Sequence, residues 1–128
     1  MRNPVWLSEE IVIALQAELI KRHGGLAGLR DRGLLSSVVA PPQNLLAYGE
    51  PFLFDFAAAY AFGLARNHPF ADGNKRAVLM MIYVFLMLNG YRLMVPEVEA
   101  VAVMRELAAG AMAAAELAAW IGANVEEV

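Results

Sequence analysis

Apolar positions recur at helical spacing over most of the chain. After Ser8, Glu9 and Glu10, which read as an N-cap followed by an acidic first turn, Ile11, Leu15, Leu19 and Ile20 form one face of a helix. Lys21-Arg22-His23-Gly24-Gly25 supplies its basic last turn and its stop. Asp31 or Ser36 can open a short second helix, which must end before Pro41-Pro42. Gln43 to Phe52 carries Asn, Gly and Pro breakers and reads as irregular or hairpin-like. Helix resumes from Leu53 to Asn67, with Phe56, Tyr60 and Leu64 four apart on one face. A loop from His68 to Gly73 follows, then a strongly apolar helix from about Asn74 to Leu88 that stops at Asn89-Gly90. Tyr91 to Val95 reads as briefly extended. Pro96, Glu97 and Glu99 suit the first turn of a helix running to Gly110, and a last helix spans Ala113 to about Ala123. The pattern predicts an all-α domain with a small irregular or β insertion.

Length changes little in this picture: 128 residues suit one domain over 1–128 with a single core. Composition adds more. Hydrophobic residues make up 59% and mean hydropathy is +0.49, which predicts an exposed apolar groove or patch of the kind a partner covers. The many alanines contribute to that value with little sticky area. A net charge of −3 argues against non-specific nucleic-acid binding. With no cysteine and only His23 and His68, disulfides and a structural zinc site are excluded, and cytoplasmic residence is expected. The amino terminus reads as no signal peptide, and the longest apolar run, Val78 to Leu88, is too short to span a bilayer.

The chemistry concentrates in His68-Pro69-Phe70-Ala71-Asp72-Gly73-Asn74-Lys75-Arg76. Gly73 permits a turn barred to other residues, and the helix beginning just after it aims free N–H groups and a positive dipole end at one spot. Such a spot binds phosphate, and Lys75, Arg76 and the Asn74 amide reinforce it. Asp72 would repel phosphate unless a divalent cation sat between them, as Mg2+ does between carboxylates and nucleotide phosphates. His68 is the side chain there able to accept a proton near neutral pH. Each residue also has an ordinary reading: Asp72 as a helix cap, Lys75 and Arg76 as solvated charges, His68 as a complement to the preceding helix end. Four such coincidences in one turn between two apolar helices make a poor account of the set. Together the residues suit attack by a hydroxyl on a nucleotide phosphate.

That nine-residue run resembles the signature of the Fic/Doc family, H-P-F-x-[D/E]-G-N-[G/K]-R. Gly24-Gly25-Leu26, Gly28-Leu29-Arg30-Asp31 and Gly33-Leu34-Leu35 are similar to the stretch before the site in its Doc branch, and Asn89-Gly90-Tyr91 falls where that branch ends its central helix. The resemblance implies a Fic-fold helical bundle with a short β-flap, placed at or beside Tyr48 to Phe52, that pairs with an extended target peptide. It implies His68 as base, Asp72 as Mg2+ ligand, and Gly73, Asn74, Lys75 and Arg76 as the phosphate cradle. Arg66, one turn earlier, matches a family position near the nucleotide.

Many members of the family transfer AMP and carry G-N-G-R-x-x-R. Here Lys75 replaces the second glycine and Leu79 stands where the last arginine would be. These two departures point to the Doc branch of toxin–antitoxin systems, which the resemblance implies passes the ATP γ-phosphate to elongation factor Tu. Ala77 occupies a position often Thr in that branch, which helix packing can accept. The inhibitory S/T-x-x-x-E-G/N pattern is missing from the sequence, so the resemblance implies a separate antitoxin with an amphipathic tail. The alternatives are AMP or other nucleotidyl transfer by the same loop, and a non-catalytic interaction module on the same fold.

Overall fold

Ser8 sits in extended backbone (φ −87°, ψ 165°) and its hydroxyl accepts the Ile11 N–H at 3.1 Å, starting α1 (Glu9–His23) as the pattern predicted. The helix stops at Gly24, whose φ of 81° is left-handed and whose N–H reaches the Ile20 carbonyl at 2.7 Å. The structure is a computed structural model and describes residues 4–26, 28–45, 53–67 and 74–128, with backbone alone at 43–45 and 74–75.

Asp31 opens α2 (Arg32–Leu45), its carboxylate accepting the N–H groups of Gly33 at 2.8 Å and Leu34 at 3.2 Å. Pro41 and Pro42 do not end it, contrary to the sequence expectation; both lie inside the helix, in its C-terminal part. Each ring removes one N–H and leaves one carbonyl a turn earlier without its usual donor. Buried Val38, Val39 and Pro42 hold the segment against the body of the protein despite that loss. Of the stretch 43–52 read as irregular, 43–45 thus continue α2, and 46–52, with the expected flap at Tyr48–Phe52, lie outside the described residues.

The centre of the molecule is α3 (Leu53–Asn67). Phe56, Tyr60 and Leu64 are fully buried on the face their spacing predicted, and α2, α4 and α6 pack around the helix. Small residues let the neighbours approach: a Cβ on Gly63 would stand 3.5 Å from the Val38 Cα of α2. The second apolar helix, α4 (Asn74–Leu88), buries Ala77, Val78, Met81, Ile82, Phe85 and Leu86, and ends at Gly90 with φ +89°. Burying each large side chain of this set contributes about 1.5–3 kcal/mol. Trp6 closes one end of the core, edge-on to Phe56 at 4.9 Å and stacked on Phe85 at 6.4 Å between centroids.

The chain then forms β1 (Tyr91–Leu93), α5 (Glu97–Ala108), α6 (Ala114–Ala123) and β2 (Val125–Glu127). β1 and β2 pair antiparallel, with Tyr91 opposite Glu127 and Leu93 opposite Val125. The sequence suggested extension at Tyr91 but not its partner, because Val125-Glu126-Glu127 has too few residues to show a two-residue period. Six helices and one two-stranded sheet among the described residues make an all-α fold, as the pattern predicted. None of these helices is long and apolar enough to cross a membrane.

Candidate active site

The candidate loop joins the C-terminus of α3 at Asn67 to the N-terminus of α4 at Asn74. Both helices are anchored by their core faces and pack on each other, so the two ends of the loop are held by buried side chains. His68, Asp72 and Gly73 themselves lie outside the described residues, as do the side chains of Asn74 and Lys75. What the structure places is their frame. The helix begins at Asn74, as the sequence predicted, so the backbone N–H groups of its first turn belong to Asn74, Lys75 and Arg76. Those groups and the positive end of the helix dipole face back toward the loop, which is the arrangement an anion needs.

Arg76 is exposed on that first turn, beside buried Ala77 and Val78. Arg76, Leu79, Met80 and Tyr83 recur at helical spacing and share one side of a groove of about 890 Å³, walled opposite by Val101 and Met104 of α5. Leu79 therefore lines an apolar wall of this groove. Ala77, 1% exposed, belongs to the buried face of α4. This groove is the apolar feature that the composition predicted.

Arg66 stands on the last turn of α3, exposed, with its guanidinium carbon 5.1 Å from the centroid of the Phe62 ring. It lines a second cavity of about 600 Å³, between α3 and the connection from Leu107 to Ala113. Arg66 and Arg76 thus border different cavities at the two ends of the loop. Among the described residues no three metal-ligating side chains cluster.

Sequence reasoning missed one contact. The Nη2 of Arg30 donates to the carbonyl of Asn67 at 3.0 Å, and the Asn67 amide donates to the Leu34 carbonyl at 3.5 Å. The α1–α2 connection therefore reaches the residue immediately before His68. The arginine following a glycine in Gly28-Leu29-Arg30-Asp31 was the available signal, but nothing in its spacing names a partner 37 residues away.

Residues 6–86 match the sequence model of the Fic/DOC family. The chain is 40% identical over 85 residues to Protein kinase doc of Escherichia phage P1, covering 66% of this chain and 68% of that protein. It is 47% identical over 73 residues to Toxin Doc of Mycolicibacterium smegmatis (strain ATCC 700084 / mc(2)155), covering 55% of each, so the match spans about half of that relative. The family match takes in α1 to α3, the loop between Asn67 and Asn74 and most of α4, and it covers more than half of the chain. With these helices and this loop, the chain belongs to the Fic/DOC family.

Proposed function

We propose that the chain is the toxin of a toxin–antitoxin pair and transfers the γ-phosphate of ATP to a Ser or Thr hydroxyl of a translation factor, elongation factor Tu. The observation that carries this reading is Leu79. It lines the apolar groove where an AMP-transferring relative has an arginine, so the face of α4 beyond Arg76 offers no second cation for an extended nucleotide tail. Lys75 in place of glycine adds a charge to the first turn, and a relative 40% identical bears the name Protein kinase doc.

In this mechanism His68 accepts the proton of the target hydroxyl. The hydroxyl oxygen bonds to the γ-phosphorus as the bond from that phosphorus to the β,γ-bridging oxygen breaks, and ADP leaves. The N–H groups of the first turn of α4, the Asn74 amide, Lys75 and Arg76 bind and orient the phosphates, with Arg66 at the far end of the loop. Asp72 is the residue that would hold Mg2+, a donor chemistry that suits an ion binding through one carboxylate and phosphates. When bound, Mg2+ neutralises phosphate charge.

The groove between α4 and α5 is assigned to the antitoxin. Its floor is apolar, and Arg76 and Arg105 lie along it with Glu97, which suits an amphipathic helix with acidic residues on its margins. Val98 beside it, 83% exposed, would extend the apolar contact.

The test is incubation of antitoxin-free protein with elongation factor Tu and ATP labelled at the γ or the α phosphate. Transfer of γ-label alone is expected. Transfer of α-label with an added mass of AMP would replace the kinase by a nucleotidyl transferase, and transfer of neither would remove this target and reaction.

A further inference from the structure

Gln16 is the buried polar side chain of the described core, 1% exposed on a face of α1 otherwise formed by Val12 and Leu19. A buried amide is costly unless its donors and acceptor are met. Gln16 meets them in the connection to α2. Its Nε2 donates to the Leu26 carbonyl at 3.3 Å, and its Oε1 accepts the Gly28 N–H at 3.4 Å. That connection is the segment most in need of an anchor: Gly24, Gly25 and Gly28 have φ of 81°, 115° and 112°, conformations cheap for glycine but entropically expensive to fix.

Beyond the glycines the same strap makes three further attachments in succession. Leu29 packs against the core, Arg30 donates to the Asn67 carbonyl at 3.0 Å, and Asp31 caps α2. Asn67 ends α3, so its carbonyl lacks an intrahelical donor, and it is covalently bonded to His68.

We infer that Arg30 and Gln16 are positioning residues for the catalytic loop. Gln16 fixes the glycine strap, the strap presents Arg30, and the bond from Arg30 to Asn67 sets the direction in which the chain leaves α3 toward His68. The inference rests on the catalytic reading of the loop given above. A purely structural role would change the melting temperature alone; a positioning role changes turnover at constant nucleotide affinity, because misplacing the base by about 1 Å costs up to about 100-fold in rate.

The test uses the full chain, elongation factor Tu and γ-labelled ATP, together with amide hydrogen exchange. Arg30 is exposed, and the melting temperature of each variant checks that it folds. Arg30→Ala should lower kcat roughly 10- to 100-fold and leave KM for ATP within about twofold. Arg30→Lys should recover part of the loss, since an ammonium still donates to a carbonyl. Gln16→Leu should reproduce part of it, and the double variant should fall short of the product of the two single effects, because both act through one strap. Amide exchange over residues 65–73 should accelerate in Arg30→Ala and in Gln16→Leu while α6 stays protected. Unchanged kcat, a rise in KM alone, multiplicative effects, or Gln16→Leu exchange confined to residues 24–31 would each overturn the inference. If the wild-type chain transfers no label, the kinase reading falls, and the exchange over 65–73 alone upholds or overturns the strap.

Discussion

The hydroxyl of Tyr60 lies inside the core, where it accepts the Leu7 N–H at 3.0 Å and donates to the Leu7 carbonyl at 3.4 Å. One side chain in the middle of α3 thereby ties down the segment before α1, and both backbone groups of Leu7 depend on it. Tyr60→Phe should lower stability by about 1–3 kcal/mol in chemical denaturation, since it strands two buried polar groups while removing almost no volume. Burial also pushes the Tyr60 hydroxyl up from 10.0 to about 12. The folded chain thus holds this proton more tightly than the unfolded chain does. Its contribution is complete below pH 10 and is lost as pH rises from 10 toward 12, by up to about 3 kcal/mol. A denaturation series over that range checks the direction; Tyr60→Phe should flatten the fall. His68 belongs to the same scale but to chemistry. His68→Ala should reduce phosphate transfer by about 100-fold or more with little change in melting temperature, and undiminished transfer would remove it as the base.

Between α2 and α3 the close approach at Gly63 is set by backbone against backbone, yet a Cβ there would meet the Val38 Cα at 3.5 Å, an ordinary contact. Gly63→Ala should therefore stabilise the protein by about 0.5–1 kcal/mol, because mid-helix glycine carries an entropic cost that alanine avoids. A lower melting temperature would show that the α2–α3 contact has no such slack. Elements of this kind were largely legible in the sequence. Ser8, Gly24, Asn89 and Gly90 mark ends of α1 and α4 through caps, and Phe56, Tyr60 and Leu64 mark the buried face of α3, because these signals are local. Where tertiary packing decides, the reading failed or fell short. Pro41 and Pro42 stay in α2 because buried neighbours hold them, and β2 forms because β1 offers it a partner. The candidate loop stands out in the sequence by its residue types, and its frame between Asn67 and Asn74 was legible from helix periodicity. Arg30 and Gln16 were not, since their significance lies in hydrogen bonds across sequence-distant segments.

At the scale of the whole molecule, a mean hydropathy of +0.49 is divided between a well-filled core and an apolar groove of about 890 Å³ that begins at Arg76. The core needs no partner, whereas the groove exposes apolar surface beside the proposed catalytic loop. A protein covering it would bury that surface and stand next to the phosphate cradle, so protection and inhibition become one event. Met80 and Val101 both line this groove, Met80 half-buried beside the core and Val101 exposed. Met80→Glu combined with Val101→Glu should leave phosphate transfer within about threefold of wild type, while desolvating either carboxylate beneath a partner would cost several kcal/mol. An antitoxin that rescues cells expressing the wild-type chain should then fail to rescue cells expressing this variant. The isolated variant should also scatter less light at high concentration, because the carboxylates interrupt this apolar groove. Rescue as complete as for the wild type would place the antitoxin on another face, and the apolar groove would then need a different occupant.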